Sequence, residues 1–133
     1  MAATSTPVQI RIVVRDAVPG VRGGVQTGSG AAARVEKWER MAGGDHTFEL
    51  TANTTNGSLP LKGPSIQKDS KGRFVYIVWR SDDGVVSRRA KVYLEQFSAE
   101  HLATGNPVTV TIAGRAKDGL PCCASVYPLD VSS

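Results

Sequence analysis

Arg73-Phe74-Val75-Tyr76-Ile77-Val78-Trp79-Arg80 carries apolar or aromatic side chains at six consecutive positions. Successive side chains of a strand point to opposite faces, so this run is apolar on both, as expected of a strand in the middle of a sheet. Asp83-Gly84 follows as a type I′ hairpin signal leading into Val85 to Leu94. Working outward, Pro7 to Arg15 alternates cleanly. Val8, Ile10, Ile12 and Val14 share one face, and Gln9, Arg11, Val13 and Arg15 share the other. Pro107 to Ala113 alternates in the same way, and Asp118-Gly119 is read as the turn from it into a strand over Cys122 to Tyr127.

The remaining segments are shorter or less regular. Asp16 to Gly24 reads as a loop, with a short strand after it at Val25-Gln26-Thr27. Ala31 to Arg40 is read as a strand joined through Gly43-Gly44 to His46–Ala52 as a hairpin. Asn53 to Gly72 holds Asn56-Gly57, Pro60, Gly63-Pro64 and Lys71-Gly72, and is expected to be the longest irregular stretch. Ser98 is placed to cap one short helix running to Leu102. The sum is a mainly β fold: an antiparallel β-sandwich or flattened β-barrel of seven or eight strands with one short helix. Residues 1–6 are expected as a flexible N-terminal arm, 7–128 as a single β domain and 129–133 as a C-terminal tail.

The chain has 133 residues, 41% of them hydrophobic, which suits one domain with a sizeable core and excludes a disordered chain. No stretch reaches the about eighteen apolar residues of a membrane span. The first residues have neither the basic region nor the apolar region of a secretory signal, so a cytoplasmic protein is expected. The net charge of +4 comes from basic residues spread from Arg11 to Lys117, with no run longer than Arg88-Arg89. That scatter argues for a solvated basic surface over a nucleic-acid interface. Cys122 and Cys123 are adjacent, a poor geometry for a structural disulfide, and are read as reduced thiols. Two cysteines and two histidines, His46 and His101, have no ligand spacing, so no metal site and no cofactor are expected. Gly20-Val21-Arg22-Gly23-Gly24 has no helix after it to complete a phosphate loop.

The candidate chemistry centres on Arg88. Alternation places it with Val86, Ala90, Val92 and Leu94 on the apolar face, while Arg89 falls on the polar one with Ser87 and Lys91. An inward guanidinium must be paired, because burying it alone is costly. It is either half of a structural ion pair, with Asp16 or Glu49 as partner, or a clamp for the anionic group of a ligand. Arg11 and Gln26 supply further donors for such a site. Tyr76 and Trp79 lie on opposite faces of the central strand, one for the core and one to flank a pocket. Asp16 is the titratable group whose presence at the ligand would favour catalysis over binding.

Taken together, Val8–Asp16 followed by Pro19-Gly20, Gly24-Val25-Gln26, Gly63-Pro64, Gly72 to Trp79 and Arg88 to Val92 resemble an uncharacterised family of short bacterial proteins. The resemblance runs from Pro7 to Tyr127 and implies one domain type; it brings no catalytic residues. The first expectation is a small-molecule-binding β domain with an interior or inter-sheet pocket and an arginine clamp. A cofactor-independent isomerase or cyclase using the same cavity, and a basic module for nucleic acid or an acidic protein, are the alternatives. Among partners, a small molecule is expected and a homodimer allowed; nucleic acid and membrane are not expected.

Overall fold

The structure is a computed structural model that describes residues 4–84, 87–94, 96–115, 125–126 and 128–133. Its first sheet is built on β1 (Ser5–Arg15), whose inward Ile10, Ile12 and Val14 are fully buried, as its alternation predicts. Antiparallel to β1 lies β5 (His46–Thr55), and parallel to it, on the other side, β10 (Val108–Ala113). β6 (Ser58–Lys62) and β12 (Asp130–Ser132) close the order β12-β10-β1-β5-β6.

The second sheet has β8 (Gly72–Ser81) at its centre. β9 (Ser87–Tyr93) lies on one side and β2 (Val21–Thr27) on the other, both antiparallel to it. The short strands β3 (Arg34–Val35) and β4 (Glu39–Arg40) pair with β2, β7 (Gln67–Asp69) pairs with β8, and β11 (Ser125–Val126) runs parallel to β9. Of the twelve strands among the described residues, seven span five residues or more. The fold is mainly β, and α1 (Ala99–Ala103) is the one α-helix described. Ser98 precedes it as predicted, and its N–H donates to His101 Nδ1 at 3.0 Å.

The sheets face each other across a filled interior. Phe48, Leu50 and Ala52 of β5 and Val108, Val110 and Ile112 of β10 join the β1 residues against Val75, Ile77 and Trp79 of β8 and Ala90 and Val92 of β9. Each large side chain buried this way contributes about 1.5–3 kcal/mol. Among the described residues, grooves at the margins and on the outer faces offer space for a ligand.

Several local expectations are corrected. Asp16 to Gly24 is not wholly loop, because β2 begins at Val21 and includes both glycines. Their place in a strand has a packing reason: a Cβ on Gly23 would stand 2.6 Å from the Trp79 ring, and one on Gly24 2.3 Å from Val35. The segment 31–40 forms no hairpin with β5; it supplies a 3-10 turn at Gly30–Ala32 and then β3 and β4, both on β2 in the other sheet. Asn53 to Gly72 is not irregular either. Asn56 and Gly57 (φ 55° and 75°) make the two-residue type I′ turn of the β5–β6 hairpin. Pro60 is accommodated because β6 is an edge strand.

At Asp83-Gly84 the hairpin is present but looser than a type I′ turn. Of the two, Gly84 alone has positive φ (75°), and its N–H donates to Ser81 O. The proposed arm and tail are both tied into the first sheet, Ser5 opposite Thr55 and Val131 opposite Val110. Ser125–Val126 pairs with β9 and not with β10. Asp118-Gly119, Cys122, Cys123, Val85 and Val86 lie outside the described residues.

Candidate anion-binding groove

Register fixes which side chains share each face of the second sheet. Trp79 is directly opposite Arg88, and Val78 opposite Arg89. Trp79, 2% exposed, is the inward aromatic, edge-on to Phe48 with ring centres 5.9 Å apart. Arg88 lies on that same side, half-buried at the start of β9, with Ala90 and Val92 buried beyond it. Arg89 is exposed on the outer face, its guanidinium carbon 4.6 Å from the centre of the Tyr76 ring. Tyr76 is the outward aromatic and also packs edge-on against Phe74 at 5.0 Å.

Gln26 reaches the same outer face from β2. It is 5% exposed, and its Nε2 donates to Gly28 O at 3.2 Å, an oxygen that also accepts from Gln67 Nε2 at 2.9 Å. Because the chain turns back after the 3-10 turn, Val35 lies opposite Gln26 and Arg34 comes alongside. The result is an open groove of about 320 Å³ bordered by Gln26, Arg34, Val35, Val78, Arg88 and Arg89. Three arginines border it, and none of its described lining residues is a carboxylate. Arg34 pairs with Glu36 at 2.9 Å, with both side chains mostly in solvent. Such an exposed pair holds an arginine weakly, by about 0–1 kcal/mol, and leaves it available to a competing anion.

The other residues singled out from sequence are elsewhere. Arg11 pairs across strands with Glu49 at 3.2 Å on the outer face of the first sheet. Asp16 sits in the turn after β1 with φ 52°, 3.1 Å from Arg115 Nε. The two carboxylates considered as structural partners of Arg88 are thus each paired with a different arginine. Of the six site residues, the groove brings together Arg88 and Gln26; Tyr76 flanks it through Arg89; Trp79, Arg11 and Asp16 are not part of it.

A polar cluster on the same face was not anticipated from sequence. Asp69 Oδ2 accepts from Lys91 Nζ at 2.9 Å and from Tyr93 OH at 2.8 Å, while Oδ1 accepts from the Lys71 N–H at 2.8 Å. Lys91 lies over the Phe74 ring, 4.6 Å from its centre. The Lys91 hydrogen bond above all, with Tyr93 and the Lys71 amide, holds the Asp69 carboxyl at about 2 against the opposing effect of desolvation. The Lys91 ammonium is raised in turn by Asp69. A carboxylate so firmly ionised is no general base near neutrality. Its effect is to neutralise Lys91 and leave the net positive charge of this face to the arginines at the groove. The turn Asp69-Ser70-Lys71-Gly72 was readable as local chemistry, but its two long-range partners depend on β8–β9 register.

Two packed sheets, a single short helix and a cationic outer groove define a mainly β sandwich domain. The chain belongs to the Family of unknown function (DUF5990), whose model matches residues 8–133. No curated protein and no solved structure matches it. Among the described residues, no helix is long and apolar enough to cross a membrane.

Proposed function

We propose that this chain is a small-molecule-binding domain whose ligand carries an anionic group, held in the outer groove of the second sheet. Arg34 and Arg89 supply charge-assisted donors, and Val35 and Val78 form an apolar floor. The observation that carries the proposal is the convergence of Arg34, Arg89 and a buried glutamine on one outer groove with no carboxylate among its described lining residues. Binding is favoured over isomerase or cyclase chemistry because no carboxylate or histidine is among the groove's described lining residues to move a proton. The adjacent Cys122-Cys123 pair, ill suited to a structural disulfide, supports a reducing, cytoplasmic setting.

Thermal-shift and calorimetric titration with phosphate, citrate and AMP tests this. At least one of these anions should raise the melting temperature. Arg34→Met with Arg89→Met should abolish the rise while leaving the unliganded melting temperature near that of the parent. Each lost charge-assisted contact should cost about 1.5–3 kcal/mol of binding. An undiminished response in the double variant would place the anion elsewhere. Tight retention of single-stranded DNA that falls steeply with salt would point instead to a polyanion-binding module.

A further inference from the structure

We propose that the free edge of β5 is a docking site for an extended peptide that joins the first sheet as an added strand, with a basic residue opposite Glu49. This site does not depend on the arginine groove, although Arg34 borders both. β5 pairs with β1 along its whole length, but on its other edge β6 meets it only at Asn53 and Thr55. Among the described residues, no strand covers His46–Ala52 on that side.

The hairpin geometry tells which peptide groups face the open edge. Thr55 and Ser58 flank the two-residue turn, so they form a hydrogen-bonded pair and Thr55 turns its N–H and C=O toward β6. The Asn56 N–H, one position on, donates instead to Thr4 O at 2.7 Å, continuing the β1 ladder. Orientation alternates along a strand, so Thr47, Glu49 and Thr51 present N–H and C=O groups outward. An uncovered strand edge of this kind is a template for pairing with another chain.

The same three residues line a groove of about 380 Å³, which shares Thr27, Glu36, Thr51 and Ser65 with a neighbouring one of about 640 Å³. Ser65, 7% exposed, lines both. Space of this size takes one extended segment and not the edge of a second sandwich. Three glutamates, Glu36, Glu39 and Glu49, line the first groove against one lysine, Lys37. Glu36 and Glu49 are held by Arg34 and Arg11 only in solvent-exposed pairs, which a cation of the peptide can replace at little cost, so the fitting segment is basic. A cation directly across from Glu49 also gains a favourable cross-strand pair.

The test uses the full chain and two capped hexapeptides, TVKVTV and its acidic counterpart TVEVTV. In the free protein the amides of Thr47, Glu49 and Thr51 should exchange with solvent quickly and those of Phe48 and Leu50 slowly. Adding TVKVTV should shift and protect the first three, and TVEVTV should bind about tenfold more weakly or less. Glu49→Pro removes an outward N–H without breaking a β1 bond and should abolish binding. Should that variant fail to fold, Ser65→Leu fills the groove from its lining; it should weaken peptide binding about tenfold or more. The response to anions should stay intact in Ser65→Leu, which separates failure here from failure of the arginine groove. Slow exchange of the three amides in the free protein would overturn the proposal, as would no binding of TVKVTV at millimolar concentration. Binding unchanged in the variants, or an edge-to-edge dimer in sedimentation, would do the same.

Discussion

On the outer face of the first sheet, Arg11 and Glu49 meet at 3.2 Å with about half of each side chain in solvent. On the outer face of the second, Asp69 takes hydrogen bonds from Lys91, Tyr93 and the Lys71 amide beside a row of Phe74, Tyr76 and Tyr93. Both are ion pairs between strands, yet the aromatic row shields one and water screens the other. The inner faces differ as well. The first sheet fills its side mostly with branched aliphatics around Phe48, and the second makes room for Trp79 by keeping Gly23 bare. Charge on the second sheet is therefore held in place by packing, as a recognition surface needs, while on the first it is solvated.

The inner-face contrast gives the largest expected effect. Trp79→Ala should lower stability by about 3–5 kcal/mol in denaturant unfolding, the range for emptying a large core site. Gly23→Ala should cost about 1–3 kcal/mol in the parent, where its Cβ would strike both the indole and the Phe48 ring, and less in the Trp79→Ala background, where Phe48 has room to move aside. Equal penalties in both backgrounds would mean that Phe48 or the backbone, and not the indole, sets the need for glycine.

On the outer face of the second sheet, the Asp69 cluster should show itself in acid. The Asp69 carboxyl is lowered to about 2, so its stabilisation is present above its ordinary value near 4 and is lost as pH falls through about 2. Between pH ~4 and ~2 the melting temperature of the parent should fall more steeply than that of Asp69→Asn, and parallel acid limbs would break the contrast. Lys91 predicts the opposite limb: its stabilisation is full below its ordinary value of 10.5 and fades as pH rises beyond it. The smallest effect belongs to Arg11 and Glu49. A double-mutant cycle with Arg11→Ala and Glu49→Ala should give a coupling of at most about 1 kcal/mol, reduced by salt. A larger, salt-resistant coupling would make the two faces alike.

What the sequence made legible follows the same division. β1 and β8 were readable because their apolar patterns are local signals; the inward residues of β1 are those expected, while for β8 alternation separated Tyr76 from Trp79 without saying which faces the core. Of β2 only Val25–Thr27 was read as strand, because Gly23 and Gly24 look like loop chemistry until the Trp79 ring is seen against them. Asn56-Gly57 was recognised as a turn, yet Pro60 obscured that it closes a hairpin whose second strand is an edge. Sheet membership of β3 and β4 had no local mark, so a hairpin to β5 looked as good as pairing with β2. The groove was half visible: alternation separated Arg88 from Arg89, but only the fold brings Arg34 to them. Asp69 meets Lys91 and Tyr93 from another strand, a coincidence of register no local pattern encodes.

The parallel pairing of β1 with β10 has a consequence for how the chain reaches this structure. Ile10 lies beside Val108, so the strand at the middle of the first sheet waits for a partner roughly a hundred residues later in the chain. Closing so long a loop must precede the reward of the contacts it brings, which slows folding relative to hairpin-built neighbours such as β5–β6. During synthesis at about 5–20 residues per second, the apolar face of β1 emerges several seconds before β10 can cover one of its edges. The early β1–β5 pair is then what shields that strand, and substitutions that weaken it should show first as aggregation during expression and only afterwards as lost stability.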